Sequence, residues 1–277
     1  MHWNWLLSMI YGLISGFSGF LPVSVEAHQR LFQEFTGVDS CLGGFAISCR
    51  LGALAALVVL CRSSIHRLHR ENRIARIPTK RRRRQPDKLA LNELRFLRTA
   101  LAPAVIVTLL FSFLSRYVQS LWMLALMIAL CGVMLYIPQY FRTGNKSAAT
   151  VSALDAILIG AFLGISPVTG LSGMAGGLSI ASVRGLEKRF ALELCLLLCI
   201  PVLVVLVGID IFALILAPSL ISGMWFLLYF LAAAAAFIGA YFSVQLMRFL
   251  SVRLGFSGFS YYCWALALFT FALYLMI

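Results

Sequence analysis

The chain has 277 residues, of which 61% are hydrophobic and 12% are charged, and its mean hydropathy is +0.94. A soluble domain of this size could not shield so much apolar surface from water, so the composition excludes a soluble protein and indicates a membrane protein with several spans. The formal net charge of +13 would suit a nucleic-acid-binding protein, but this charge is concentrated in one segment.

The basic segment lies between Arg62 and Arg98. It holds thirteen Lys or Arg residues against three acidic residues, which leaves a net charge of about +3 for the rest of the chain. A short basic segment between apolar spans is typical of a cytoplasmic connection and attracts anionic lipid headgroups. We therefore expect a basic cytoplasmic loop at residues 62–98, in contact with anionic lipid headgroups, and we expect no nucleic-acid partner.

Eight apolar runs follow one another along the chain and predict an all-α polytopic membrane protein. They cover residues 3–21, 42–61, 99–115, 119–138, 153–165, 191–216, 221–246 and 256–277. With residues 62–98 inside, the polar stretch 22–40 is predicted to be a loop on the outer side. Arg142 and Lys146 then fall inside, as the distribution of positive charge requires.

The first run ends in a break around Gly19 and Pro22, and a similar break returns in the second half of the chain. The spacing of residues 17–24 is repeated in residues 162–169, at an offset of 145. Backbone groups freed inside a bilayer must be buried in protein or line a cavity, and paired breaks in two halves of a chain indicate a binding site between them. The alternative is that both are ordinary Gly and Pro interruptions of transmembrane helices.

The spans that follow the two breaks leave from opposite faces of the membrane. This predicts two inverted-topology repeats, whose broken, re-entrant helix hairpins meet near the membrane midplane. The first repeat is residues 1–138, residues 139–150 are a cytoplasmic linker, and residues 151–277 are the second repeat.

Ionisable residues inside a bilayer suggest function, because a charge in lipid is unfavourable. Glu26 and His28 are candidate catalytic residues, with His28 as general base or nucleophile. Arg50 is the candidate cation for a phosphate. The alternatives are that His28 is a loop histidine at the outer interface and that Arg50 forms a buried ion pair with Glu26 or Glu193. For Glu193 itself we favour a structural role.

Hydroxyl and glycine residues at the two breaks complete a candidate phosphate site, because hydroxyls and backbone N–H groups at helix starts bind anions. With Arg50, this set is Ser24, Thr169, Gly170, Ser172 and Gly173. The seven cysteines include Cys195 and Cys199 one turn apart, but no His or third Cys completes a ligand set. We predict no metal site from this pattern.

Two motifs resemble those of the undecaprenyl-diphosphate phosphatase family of bacitracin-resistance proteins. The family's first motif, E-G-x-x-E-F-L-P-(V/I)-S-S-T-G-H, is matched at Gly16, at residues 20–24 and at His28. Its second motif, P-G-x-S-R-S-G-x-T, is matched at Pro167 and at residues 172–173. The resemblance implies two inverted repeats with re-entrant hairpins, an outward-facing site and a polyprenyl diphosphate substrate in a bacterial-type cytoplasmic (inner) membrane.

The sequence departs from this family at the charged motif positions. The two motif glutamates fall on Ser15 and Gly19, and the motif arginine falls on Leu171. Glu26 stands where the family has Thr, and Arg50 where it has Gln. In the family these charges handle a metal or proton and neutralise the phosphate, so the resemblance implies a degenerate member that has lost most stabilisation of the transferring phosphoryl group.

Three hypotheses follow. The first is a member with impaired or lost phosphatase activity that binds or moves a polyprenyl phosphate or diphosphate lipid. The second is an active undecaprenyl-diphosphate phosphatase in which Glu26, His28 and Arg50 substitute for the family residues. The third is a structural or interaction protein of the membrane. The cofactor is left unknown, although the resemblance allows a divalent cation, and a homodimer is left open.

The charge distribution makes a testable prediction about topology. In a background without native thiols, a single cysteine at residue 32 should react with a membrane-impermeant maleimide on intact cells, because residues 22–40 are expected outside. A single cysteine at residue 85 should react only after lysis. The reverse pattern would contradict the proposed orientation.

Overall fold

The computed structural model describes residues 4–38, 43–82, 84–115, 120–141, 144–216, 226–253 and 256–276. Within these residues the chain forms ten α-helices. In chain order they are α1 (Trp5–Phe20), α2 (Val25–Thr36), α3 (Gly43–Arg76), α4 (Lys88–Leu114), α5 (Leu121–Tyr136), α6 (Ala153–Leu163), α7 (Gly173–Val183), α8 (Lys188–Leu216), α9 (Phe226–Arg253) and α10 (Gly258–Met276).

The protein is an all-α, multi-pass membrane protein, as the composition predicts. Six helices of the described chain, α3, α4, α5, α8, α9 and α10, are long and apolar enough to cross a membrane. Helix α1 has 16 residues and α6 and α7 have 11 each, which is short of the about 20 residues that a span requires. The apolar runs predicted at 3–21 and 153–165 are therefore half-helices.

Within the described residues 22–38 the chain is mostly helical, which corrects the interpretation of residues 22–40 as a loop. Helix α2 occupies most of this stretch, because the Ser24 hydroxyl accepts from the Ala27 N–H at 3.2 Å and caps its start. Gly37, with φ of 60°, ends it in the left-handed region. The acidic Asp39 lies outside the described residues.

The basic segment is also mostly helical rather than a loop. Helix α3 continues to Arg76 and α4 begins at Lys88, so only residues 77–87 connect them. The Glu71 carboxylate is buried under this connection and accepts from Arg84 and from the Asp87 N–H, at 2.5 and 3.0 Å. We call the end of the bundle that carries residues 77–87 the basic end.

Two helical hairpins pack their first helices closely against long helices. Hairpin 1 is residues 5–36 (α1 and α2), and hairpin 2 is residues 153–183 (α6 and α7). Glycines of the half-helices lie against the backbone of alanines: Gly12 on Ala232, Gly16 on Ala236, Gly160 on Ala100 and Gly164 on Ala104. Small residues at these crossings let two helix backbones approach without intervening side chains.

The hairpins enter the bundle from opposite ends. Helix α1 runs in the same direction as α9, and α9 runs in the same direction as α3, since Gly44 packs on Tyr229 and Gly52 on Ala233. Helix α6 runs with α4, which returns from the basic end in the opposite direction. Hairpin 2 therefore starts at the basic end and hairpin 1 at the other end. Two inverted repeats would produce this arrangement, and the repeat boundaries themselves stay a prediction.

The register between the two hairpins differs from the sequence match. The match at an offset of 145 pairs Ser24 with Thr169. In the structure Ser24 and Ser172 have the same role, since each caps the second helix of its hairpin, and this offset is 148. Gly16 and Gly164 are related by the same offset. The break is longer in hairpin 2, at residues 164–172, than in hairpin 1, at residues 21–24. An alignment of the two sequences at the break therefore does not superpose the residues that pack and cap the helices.

Close helix packing makes a prediction with an internal control. A Cβ at Gly16 would lie under 3.0 Å from the Ala236 carbonyl, so Gly16→Ala should lower the free energy of unfolding by about 1–3 kcal/mol through overpacking. Gly208 in α8 has nothing within 4 Å of its would-be Cβ. Gly208→Ala should be neutral or stabilising by about 0.5–1 kcal/mol. Denaturation in mild detergent measures both, and equal effects would contradict the close packing of α1 on α9.

Candidate functional site

The tips of the two hairpins contact each other inside the bundle. Tip 1 is residues 21–24 and tip 2 is residues 164–172. The Ser24 hydroxyl accepts from the Gly170 N–H at 3.1 Å, and the Thr169 hydroxyl donates to Glu26 Oε2 at 3.1 Å. The two breaks therefore contact each other, and their common depth in the membrane stays a prediction. A non-helical stretch from Pro22 to His28, which a loop at residues 22–40 would imply, is wrong, because α2 begins at Val25.

A cavity lies between the two tips and helices α3 and α8, and we call it the tip pocket. Its volume is about 80 Å³, which is room for a few water molecules. The residues that line it include Ser15, Gly19, Glu26, Arg50, Leu171 and Ser172. Arg50 therefore faces the space between the two broken segments, as the sequence analysis expects.

Arg50 is shared by two carboxylates. Its guanidinium donates to Asp210 on α8 and to Glu26 Oε1 on α2, the latter at 3.4 Å. The three side chains are 23%, 19% and 24% exposed, in the order Arg50, Asp210 and Glu26. The alternative of an ion pair with Glu26 is correct. The pairing with Glu193 is not, because Glu193 binds Arg248 through both oxygens at 2.8 and 3.1 Å.

The predicted phosphate-binding residues divide into two groups. Arg50, Ser172 and Gly173 line the tip pocket, where the N-terminal end of α7 favours an anion. Ser24, Thr169 and Gly170 hold the tips together through the hydrogen bonds described above.

His28 lies away from the tip pocket. Its ring stacks on Tyr262 with the planes 4° apart, and Nε2 is 2.6 Å from the Tyr262 hydroxyl. Both side chains line a separate, mostly apolar groove of about 700 Å³ beside α1 and α10. Residues 26 and 28 point about 200° apart on a helix, so α2 directs Glu26 into the pocket and His28 out of it. The predicted catalytic pair is not brought together.

Asp210 is the site residue that the sequence analysis missed. It is an acidic residue in the apolar run 191–216, which is the same signal that singled out Arg50. Asp155 was missed in the same way. It is fully buried at the start of hairpin 2, where it accepts from Arg184 at 2.5 Å and from Lys146 at 3.3 Å.

Comparisons with known proteins identify the family. The family model described as "Bacitracin resistance protein BacA" matches residues 8–269. The chain belongs to this family. It is 25% identical to an undecaprenyl-diphosphatase of Carboxydothermus hydrogenoformans over 264 residues, covering 95% of both chains. It is 28% identical to undecaprenyl-diphosphatase 1 of Bacillus licheniformis, covering 94% of both chains. A third relative, an undecaprenyl-diphosphatase of Methanococcus maripaludis, is 25% identical over 70% of this chain and 74% of its own.

The departures from the family motifs lie in the tip pocket. Ser15, Gly19 and Leu171, which stand at the positions of the motif glutamates and arginine, all line it. Ser15 accepts from Gln29 at 2.8 Å and donates to the Tyr11 carbonyl at 2.7 Å. The pocket between the hairpin tips is thus lined by uncharged side chains at three positions where the motifs have charged ones.

The contact between the tips predicts a difference between two matched variants. Ser24→Ala and Ser172→Ala each remove a helix cap, which costs about 0.5–2 kcal/mol. Only Ser24→Ala also leaves the buried Gly170 N–H without its acceptor, which adds about 1–3 kcal/mol. Unfolding with increasing sodium dodecyl sulfate in mild detergent measures both. Equal losses for the two variants would contradict a stabilising contact between the tips.

Proposed function

We propose that this protein binds or moves a polyprenyl phosphate or diphosphate lipid through the tip pocket, and that it does not hydrolyse the lipid. The family membership supports the class of ligand, since the relatives are named undecaprenyl-diphosphatases. The observation that carries the loss of hydrolysis is that Ser15, Gly19 and Leu171 line the pocket where the family motifs have charged residues.

Phosphoryl transfer requires groups that neutralise charge as it develops on the transferring phosphate. In the tip pocket this role would fall to Arg50, which already binds Glu26 and Asp210. A divalent cation does not fit the pocket either, because both carboxylates face Arg50. Among the described residues, no group of three His, Cys, Asp or Glu side chains could hold a metal ion.

The alternative of an active phosphatase that uses Glu26, His28 and Arg50 is not favoured by this geometry. His28 is held by Tyr262 beside the apolar groove, and it would have to cross α2 to reach a phosphate next to Arg50. A purely structural protein is not favoured either, since it would have no need of a pocket with a cation, hydroxyls and a helix N-terminus.

The proposal includes the cytoplasmic membrane as the location, with the basic end inside. Arg76, Arg81 and Arg84 are exposed there, next to the surface that anionic lipid headgroups would occupy. The two hairpins approach the pocket from opposite ends of the bundle, which suits a site that exchanges a lipid between leaflets. A homodimer stays a prediction.

The test combines hydrolysis and binding. Purified protein should release no phosphate from undecaprenyl diphosphate above a protein-free blank, whereas the Bacillus licheniformis relative serves as positive control. It should bind undecaprenyl phosphate in nanodiscs, and Arg50→Gln should weaken this binding by about 10- to 100-fold, because a charge-assisted contact contributes about 1.5–3 kcal/mol.

Two variants control the binding measurement. Arg248→Gln removes an arginine from a carboxylate pair outside the tip pocket and should leave affinity unchanged. Arg50→Lys keeps the charge without the planar fork and should fall between the parent and Arg50→Gln. Phosphate release at a rate comparable to the positive control would overturn the loss of hydrolysis, and equal binding by the parent and Arg50→Gln would overturn the site.

A further inference from the structure

The ion-pair cluster at the tip pocket holds more acidic than basic charge, because Asp210 contacts Arg50 without lining the pocket itself. Glu26 and Asp210 share the single guanidinium of Arg50. Among the described residues that line the pocket, Arg50 is the only cation. With both carboxylates ionised, the three side chains carry a net charge of −1. A pocket for a phosphate would be expected to carry the opposite sign.

The surrounding groups do not compensate for this charge. Tyr11 on α1 and Cys49 on α3 are the titratable side chains beside the three charges, and both are buried. A phenol and a thiol ordinarily lose their protons only above neutral pH, so they add no positive charge. From tip 2, Thr169 donates a neutral hydroxyl to Glu26, and Gln29 of α2 lines the pocket as a neutral amide.

An anionic headgroup beside two carboxylates would be repelled, because charges interact strongly in a poorly solvated pocket. The guanidinium can bind the headgroup only if one carboxylate breaks its ion pair with Arg50. Glu26 is also tied to tip 2 through Thr169. Asp210 lies on α8, outside both hairpins, and among the described residues it is paired with Arg50. Glu26 lines the tip pocket and shares Arg50 with Asp210, so a proton that enters the pocket reaches this cluster through Glu26.

We propose that Asp210 makes headgroup binding depend on a proton: a lipid phosphate enters the tip pocket together with one H⁺, which neutralises a carboxylate and releases Arg50 to the phosphate. One O–H bond forms on Asp210 or Glu26, one O–H bond breaks in a hydronium ion of the solvent, and no other bond changes. Asp210 is thereby a specificity-determining residue, because a phosphate binds only when a proton is taken up with it. This inference rests on the proposed function.

The test follows undecaprenyl phosphate binding to the purified protein between pH 5.5 and 8.5, in nanodiscs of zwitterionic lipid. Coupled uptake of one proton makes the parent's affinity fall by about tenfold per pH unit above the pKa of the coupled group. Asp210→Asn removes a negative charge while keeping an amide oxygen for Arg50. It should bind at least tenfold more tightly than the parent at pH 8 and lose this slope. The lipid phosphate titrates equally with both proteins, so the difference between them isolates the protein's proton.

Glu193→Gln is the matched control, because it removes a carboxylate from an Arg pair outside the tip pocket, and it should keep the parent's slope. If Asp210→Asn and the parent share affinity and slope, the inference is wrong. It is also wrong if binding at fixed pH and ionic strength rises with Na⁺ or K⁺. Absence of binding by both proteins at every pH would instead overturn the proposed function.

A second measurement needs no substitution and therefore tests the inference even if Asp210→Asn fails to fold. Calorimetric titration of the parent at pH 7.5, in buffers with different ionisation enthalpies, counts the protons bound with each lipid. The lipid phosphate's own contribution is obtained by titrating the same lipid into empty nanodiscs, and Glu193→Gln should take up the same number of protons as the parent. About one proton taken up by the parent supports the coupling, and zero overturns it.

Discussion

The structure depends on how the backbone groups freed at the two hairpin tips find partners away from water. In a bilayer an unsatisfied N–H or C=O group is strongly unfavourable, so a broken helix needs a partner inside the protein. The Ser24 hydroxyl supplies it for both tips, by accepting from Ala27 in its own hairpin and from Gly170 in the other. Tip 2 closes further turns on itself, such as the Leu171 N–H to the Val168 carbonyl at 2.9 Å. The pocket exists because each hairpin tip is held in place by hydrogen bonds to the other hairpin.

The same constraint separates the scaffold from the chemistry of the site. Gly170 has a φ of +94°, and a Cβ there would meet Met127. The shape of tip 2 therefore requires glycine whatever the pocket binds. Gly12 and Gly16 of α1 and Gly160 of α6 are likewise required by the helices they touch. Ser15, Gly19 and Leu171 have no such role in joining the tips, so the charged residues of the family can be replaced there without dismantling the hairpins.

Acidic groups removed from water are neutralised by basic partners in this protein, as Glu193 and Asp155 illustrate. Glu193 binds Arg248, and the buried Asp155 binds Arg184 and Lys146. The tip pocket differs, because two carboxylates share one guanidinium. The family motif has an arginine at the position of Leu171, so this chain lacks a second cation there. The excess of carboxylates over cations links the loss of the motif arginine to the proposed uptake of a proton with the lipid phosphate.

The sequence by itself determined the membrane class, the family and the positions of both breaks, because hydropathy and Gly/Pro motifs are local properties of the chain. It also singled out Glu26 and Arg50 as charges within apolar surroundings. It failed where the answer depended on helix geometry, since treating residues 22–40 as a loop left His28 free to join Glu26, whereas α2 directs the two apart. Only the tertiary structure decided that Asp210 meets Arg50 across 160 residues of chain. Such a contact is fixed by the packing of α3 against α8, and no local pattern encodes it.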